Sequence, residues 1–200
     1  MAISLAKELG KNPWQAFASC YQKRLKLDVR NPNWMMLVTS LNDIPDARVV
    51  LLKDYGVDSG FVFFTNYQSA KSQELMTNDR ASLVFYWDSL CYQIRIKGRA
   101  KKISRHLCEE YFNKRTRLSQ IGAWASLQSQ PLASREQLLT RVDEVGTKFN
   151  KKSVPCPPHW GGWRIMPEKF EFWKEAQGRL HERVTYLWQD QTWKMELLYP

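Results

Sequence analysis

Past residue 33 the chain runs through short β-rich segments joined by turn residues rather than by helices, and this succession limits the fold more than any other feature. Residues 34–41, 47–55 and 61–65 are three such runs, with turns read at 42–46 and 54–60. Two longer runs follow at 81–87 and 91–103, and three more, 162–173, 178–189 and 193–198, close the chain. Strands that neighbour strands, with few helical crossovers, predict a mainly β protein built as an antiparallel barrel. Helices are expected to flank it. Trp14, Phe17, Tyr21 and Leu25 recur at helical spacing over 13–27, and a second helix is read over 69–78. Ser104 is placed to cap a helix carrying Leu107, Tyr111 and Phe112. Ser134-Arg135-Glu136-Gln137 fits a capping box, continued by Leu138, Val142, Val145 and Phe149. Pro155-Cys156-Pro157-Pro158 ends regular structure before the last strands.

Two hundred residues suit one domain, with a helical N-terminal segment over 1–29 and the barrel with its helices over 30–200. Nine Trp, eight Tyr and nine Phe argue against disorder. Thirty Lys and Arg against twenty Asp and Glu leave a formal charge of +10, so nucleic acid, a membrane surface and small phosphorylated molecules are all candidate partners. Cys20, Cys91, Cys108 and Cys156 form no C-x-x-C pair, which speaks against structural zinc and for reduced thiols in the cytoplasm. The first residues lack a signal-peptide apolar core, and no apolar stretch is long enough to span a membrane.

Four constellations could carry chemistry. In an extended strand Arg179, His181 and Arg183 project from one face, two cations flanking an imidazole. Such a face suits an anionic ligand, although from these residues alone a solvated basic edge is the simpler reading. Tyr111, Arg115 and Ser119 stand four apart and share a face if one helix carries all three, a trio suited to phosphate. By spacing alone a packed Tyr, a solvated Arg and a capping Ser is the simpler reading. Arg48 and Lys53 flank Val49-Val50-Leu51-Leu52 and fall on opposite faces of a straight strand, so serving one ligand requires a bend or a ligand across the strand end. Thr65, Ser69 and Lys71 lie at a strand-to-helix junction, where free N–H groups favour anions. Neither G-x-G-x-x-G nor a P-loop is present.

Taken in chain order, several motifs go further. Arg48-Val-Val-Leu-Leu-Lys53, Phe63-Phe-Thr-Asn66, Ser119-Gln-Ile-Gly-Ala-Trp124, Gln128-Ser129, His159-Trp-Gly-Gly-Trp-Arg164 and Phe170-Glu-Phe-Trp173 through Arg179-Leu-His-Glu-Arg183 resemble the pyridoxine/pyridoxamine 5′-phosphate oxidases. The resemblance covers roughly residue 30 to the C-terminus. It implies an FMN-binding split β-barrel, a homodimer joined through its C-terminal strands, with FMN at the interface. By position, Arg48, Lys53, Thr65, Lys71 and Gln93 would contact FMN, as would Gln128, Ser129, Trp173 and Arg183. Lys53, Tyr111, Arg115 and Ser119 would hold the substrate phosphate, and Arg179 and His181 would lie over the pyridine ring as the catalytic pair. Ala70 departs from the pattern, standing where many members carry Arg; one charge-assisted hydrogen bond is worth about 1.5–3 kcal/mol. Lys174 replaces the usual Gln, His or Gly, and the N-terminal segment is short and unlike that of the better-known bacterial enzymes.

The implied reaction is oxidation of pyridoxamine or pyridoxine 5′-phosphate by O2 to pyridoxal 5′-phosphate, part of vitamin B6 metabolism, with H2O2 released and ammonia set free from the amine. Three other readings compete. One is a split-barrel flavoprotein of the phenazine-biosynthesis type. Another is a basic nucleic-acid-binding barrel using Lys97, Arg99, Lys101, Lys102 and Arg105. The third is a non-catalytic pyridoxal-phosphate carrier. Retention of Tyr111, Arg115 and Ser119 favours the phosphorylated substrate. The resemblance implies neither nucleic acid nor membrane as a partner.

Overall fold

The computed structural model describes residues 4–27 and 30–200, so positions 1–3 and 28–29 of the expected N-terminal segment lie outside the described residues. Nine strands form one antiparallel sheet: β1 (Trp34–Leu41), β2 (Ile44–Leu51), β3 (Asp54–Gly56), β4 (Gly60–Asn66), β5 (Arg80–Trp87), β6 (Tyr92–Lys102), β7 (Trp160–Lys174), β8 (Glu182–Gln189) and β9 (Thr192–Leu198). Their order is β2-β1-β5-β6-β7-β4-β3, and β8, paired with β7, carries β9. The long β7 makes this possible. One edge pairs with β6 from Trp163 to Lys174, while the other pairs with β4 at Trp160–Ile165 and with β8 at Lys169–Lys174. The sheet forks there and does not close. A register shift at Lys97/Gly98 bends the β6–β7 ladder, and a Cβ on Gly98 would collide with the Met166 carbonyl.

Period-2 alternation decides which faces are buried. Leu83 and Phe85, Ile94 and Ile96, Phe170 and Phe172 point inward and are fully buried. Tyr86, Gln93, Arg95 and Trp173 occupy the alternate positions and are half-buried or exposed. Helix α2 (Pro13–Leu25) packs its apolar face into the core. Its N-cap Asn12 accepts from the Trp14 N–H at 2.9 Å, and Pro13 takes the first turn, where no donor is needed. Phe17 then packs edge-on against Phe61 and Phe85 at 4.9 and 5.2 Å, and Trp14 stacks on Phe61 at 5.1 Å. Buried rings of this size stabilise by about 1.5–3 kcal/mol each.

The short α1 (Leu5–Leu9) does more than precede this helix. Leu5 and Leu9 join the core, the Leu5 N–H donates to Glu182 Oε2 at 2.7 Å, and Tyr186 Oη donates to the Gly10 carbonyl at 2.6 Å. The described part of the N-terminal segment is therefore fastened to β8. The remaining helices are α3 (Ala70–Thr77), α4 (Arg105–Asn113), α5 (Arg117–Ala125) and α6 (Arg135–Lys148), with Ser104 and Ser134 capping α4 and α6 as expected. No helix among the described residues is long and apolar enough to cross a membrane.

Three boundaries differ from expectation. The turn read at 42–46 shrinks to Asn42-Asp43, both at positive φ, and Pro45 and Asp46 belong to β2. An edge strand tolerates Pro because no partner needs its missing N–H. The run 47–55 divides at Leu52-Lys53, where the Leu52 side chain turns into the core. The run 178–189 starts late, at Glu182, because residues 177–179 form a 3₁₀ turn with Gly178 and Arg179 both near φ +60.

Glu8 ties α1 to its surroundings through Lys23 of α2 at 2.7 Å and Lys174 of β7 at 3.0 Å. Partial burial pushes its carboxyl upward, but the hydrogen-bonded ammonium groups of Lys23 and Lys174 outweigh this and hold it at about 2. With the folded value below the ordinary 4.5, this contribution to stability is complete above about pH 4.5 and is lost as pH falls toward 2. Thermal unfolding at constant ionic strength is expected to show a melting temperature that falls across this window and falls less steeply in Glu8→Gln; equal slopes would remove Glu8 as the linked group.

Candidate functional site

A cavity of about 670 Å³ opens where β2 ends, between β4, α3 and the α4–α5 pair. Arg48 enters it from β2, Thr65 from the end of β4, Lys71 from α3, Tyr111 from α4 and Ser119 from α5. Lys53 reaches it from the break between β2 and β3, which is the bend that the Arg48/Lys53 spacing requires. Asn66 sets the junction leading into α3: its Oδ1 accepts from the Gln68 N–H, and its carbonyl accepts from Ser69 Oγ, both at 2.7 Å. Gln128 follows α5 and closes one side, its Oε1 accepting from Thr65 Oγ1 at 3.1 Å and from the Asn66 N–H at 3.2 Å.

Tyr111, Arg115 and Ser119 line this cavity together, but not on one helix as their spacing suggested. α4 stops at Asn113, residues 114–116 form a turn, and Thr116 caps α5 by accepting from the Ser119 N–H. The three converge across a helix–turn–helix. An aromatic stack forms one wall: Tyr111 on Phe64 at 4.0 Å and 7°, then Phe64 on Trp160 at 5.2 Å and 6°. The Arg115 guanidinium lies over Trp160 at 4.7 Å, and its Nη1 is buried without a hydrogen-bond partner. Burial accordingly lowers its pKa from the ordinary arginine value. A desolvated, unpartnered donor among aromatic rings is costly unless an acceptor arrives.

Electrostatics across the cavity are lopsided. Arg48 is paired with Asp46 and, at 3.0 Å, with buried Glu74, which also accepts from Thr39. Among the described residues, Lys53, Lys71 and Arg115 have no carboxylate within ion-pair distance. Lys71 is buried and its pKa is lowered, first by desolvation and then by the Arg48 charge. Its Nζ has Thr65 Oγ1 at 3.5 Å. An anion entering here would meet three uncompensated cations and the hydroxyls of Thr65, Tyr111 and Ser119.

The other expected site residues form a second group. Gln93, Trp173 and Arg183 are consecutive partners across β6, β7 and β8, so their side chains share one outward face. The His181 ring lies 4.6 Å from Trp173, and its Nδ1 accepts from the Ala176 N–H at 3.2 Å. The alternation argument for Arg179, His181 and Arg183 is corrected here. Arg179 sits exposed in the 3₁₀ turn and His181 precedes the strand, so only Arg183 is a strand residue. Ser129, at φ +70 beyond Gln128, is exposed. Residues not singled out in the sequence include Lys114, Thr116 and Trp160, which line the first cavity. Trp160 sits inside a motif already quoted, and Lys114 stands beside Arg115. Glu74 was findable three residues after Lys71 on the same helical face.

The basic cluster proposed for nucleic acid is largely occupied. Arg99 pairs with Asp79 and Glu168, Arg105 pairs with Glu109 and donates to three carbonyls, and Lys102 lies 4.6 Å over the Tyr67 ring. No cluster of His, Cys, Asp or Glu suited to a metal ion occurs among the described residues.

Comparison with known proteins bears on both groups. Residues 22–149 match the family model described as pyridoxamine 5′-phosphate oxidase, and residues 160–200 match that of the pyridoxine 5′-phosphate oxidase C-terminal dimerisation region. A pyridoxine/pyridoxamine 5′-phosphate oxidase from Myxococcus xanthus is 45% identical over 190 residues, covering 94% of this chain and 92% of its own. Its counterpart from Trichormus variabilis is 44% identical over 195 residues, covering 96% and 91%. Among solved structures, PhzG from Burkholderia lata, crystallised with tetrahydrophenazine-1-carboxylic acid, superposes with a TM-score of 0.89 at 28% identity, covering 96% of this chain and 94% of its own. An FMN-binding, pyridoxamine 5′-phosphate oxidase-related protein from Nostoc punctiforme gives 0.74 at 15% identity, covering 96% and 100%, and shares the fold.

Replacing Arg115 is the direct probe of the first cavity. Losing a charge-assisted hydrogen bond of about 1.5–3 kcal/mol corresponds to roughly a 10- to 150-fold loss of affinity. Arg115→Ala is expected to weaken binding of a phosphate monoester by that order, measured by isothermal titration. An unphosphorylated analogue should bind the variant and the parent alike.

Proposed function

The chain belongs to the pyridoxine/pyridoxamine 5′-phosphate oxidase family of FMN-dependent oxidoreductases, and from there we propose that it oxidises pyridoxamine 5′-phosphate or pyridoxine 5′-phosphate to pyridoxal 5′-phosphate with O2. The alcohol and O2 give the aldehyde and H2O2; the amine, O2 and water give the aldehyde, ammonia and H2O2. The observation that carries this reading is the buried, unpartnered Arg115 donor beside Tyr111 and Ser119, which calls for a doubly charged acceptor such as a phosphate monoester.

The residues present fit FMN. Lys71 at the strand-to-helix junction and Arg48 from β2 suit its phosphate, with Lys53, Thr65 and Gln128 around them and Ser129 next in sequence to Gln128. Gln93, Trp173 and Arg183 offer amide, indole and guanidinium groups on one face. When bound, the flavin supplies the two-electron acceptor and its reoxidation by O2. The protein's share is placement and electrostatics.

Lys53, Tyr111, Arg115 and Ser119 hold the substrate phosphate in this reading, fixing the pyridine so that its exocyclic carbon is presented at one position. Arg179 stacks on the ring and favours its electron-rich form. The Ala176 N–H occupies His181 Nδ1, which leaves the proton of a neutral imidazole on Nε2, free to donate to the substrate. Neither residue needs to act as an obligatory base, because a hydride equivalent leaves the carbon.

We further propose a homodimer in which each site draws on both chains. Trp160, in the first group, and Trp173, in the second, stand at opposite ends of β7, roughly 40 Å apart along a straight strand at about 3.3 Å per residue. That separation exceeds what one cavity of about 670 Å³ spans, so a partner's second group completes the site. The match of residues 160–200 to a dimerisation region and the exposed Tyr86 and Met36 on the outer sheet face support this. PhzG similarity favours a second reading, a tricyclic carboxylate substrate, and the demand for a phosphate distinguishes the two.

Peroxide formation on FMN-loaded protein is the test. We expect turnover with both phosphorylated substrates and at least a hundredfold lower kcat/KM with unphosphorylated pyridoxamine, about 2.7 kcal/mol of lost phosphate binding. No turnover with either phosphorylated compound would reject the reading. Arg179→Ala is expected to lower kcat while the flavin content per chain stays near that of the parent; equal loss of both would contradict the ring-stacking role.

A further inference from the structure

Among the described residues, Glu171 is the most secluded carboxylate on the outer sheet face, 6% exposed in the C-terminal part of β7. Its Oε1 accepts from Arg183 Nη2 at 2.9 Å and Nε at 3.3 Å. Arg95 Nη1, from β6, sits at 3.4 and 3.5 Å from the two oxygens. Across the ladder Arg95 pairs with Glu171 and Glu171 with Thr185, so the carboxylate is flanked by guanidinium groups rooted in both neighbouring strands. Arg183 is held on its other side as well, because Nη1 donates to the Tyr199 carbonyl at 3.0 Å.

Two guanidinium groups within 3.5 Å of one carboxylate would repel each other without it. Two guanidinium groups share this one buried carboxylate, so each arginine keeps donors for a further partner while Glu171 fixes the orientation of Arg183. Trp173 lies two residues further along β7 and therefore on the same side of the sheet, directly opposite Arg183. The carboxylate thus sits beneath the pair assigned above to the flavin.

We propose that Glu171 is the positioning residue for Arg183: it orients the guanidinium for FMN without touching the flavin itself. This rests on the reading that Arg183 contacts FMN. The alternative role is purely structural, a charge pair that staples β6, β7 and β8 together.

A double-mutant cycle separates the roles. FMN is titrated into flavin-free dimeric protein by quenching of flavin fluorescence, for the parent, Glu171→Gln, Arg183→Ala and the double variant. Sedimentation checks that each is dimeric. Expected is a roughly tenfold weaker Kd for Glu171→Gln, a weaker Kd for Arg183→Ala, and no additional loss when Glu171→Gln is added to Arg183→Ala. An unchanged Kd in Glu171→Gln, or the same loss with and without Arg183, overturns the proposal. An unchanged Kd in Arg183→Ala sinks the assignment of Arg183 to FMN, and this proposal with it. If Glu171→Gln does not give a folded dimer, Glu171→Asp, which keeps the charge but withdraws it by one methylene, is read in the same cycle against the same outcomes.

Discussion

The forked pairing of β7 is the constraint on which the rest depends. A strand long enough to serve β6 along one edge can offer β4 and β8 separate halves of the other. From β7 one branch continues through β4 to β3 and the other through β8 to β9, so the two branches diverge and the sheet opens at the fork. The same strand delivers Trp160 to the anion cavity and Trp173 to the arginine-rich outer face. Its inward residues Phe170 and Phe172 meanwhile build the core against which α2 docks. Fold and site therefore share one backbone element, so a change that shifted the β7 register by one residue would turn Trp173 and Glu171 inward and Phe172 outward.

Charge distribution explains why this basic protein does not read as a general polyanion binder. Arg99, Arg105 and Arg95 are engaged by carboxylates, and Lys102 lies over aromatic rings. Surface pairs of this kind contribute little stability, but they remove cations from the available field. The cations of the β2–β4–α3 cavity are treated differently. Lys71 and Arg115 are desolvated and, among the described residues, have no carboxylate within ion-pair distance, so a dianion entering there relieves both costs together. Excess positive charge is thus concentrated where burial makes each charge count most.

Much of the fold was legible because period-2 alternation and turn residues mark strands directly, as in 34–41 and 193–198. The candidate site was legible as residue types but not as geometry. Arg179 was placed on a strand because Gly178 can mark one left-handed position, but nothing in the sequence marks Arg179 as a second beside it. The Tyr111–Arg115–Ser119 helix fails for a related reason: Thr116 offers α5 a cap at the point where α4 stops, and local capping outcompetes continuation. Convergence survives in that case because a helix–turn–helix happens to preserve the facing. Gln128 could not be found by periodicity at all, since its hydrogen bonds to Thr65 and Asn66 bridge more than sixty residues.

The missing arginine at position 70 also takes a different weight in three dimensions. Ala70 is the first residue of α3 and is exposed, whereas Lys71, the next residue, is 8% exposed and faces the cavity. An arginine at the rim would act through solvent, where screening reduces a charge–phosphate contact to the low end of its range. The buried cations act in a poorly screened setting and supply more per charge. Buried Lys71 and half-buried Arg48 and Arg115 remain, with exposed Lys53 at the cavity's edge, and the free backbone N–H groups at the start of α3 add to them without needing a side chain at position 70. The departure from the family pattern thus falls at the rim and leaves the cations that line the cavity in place.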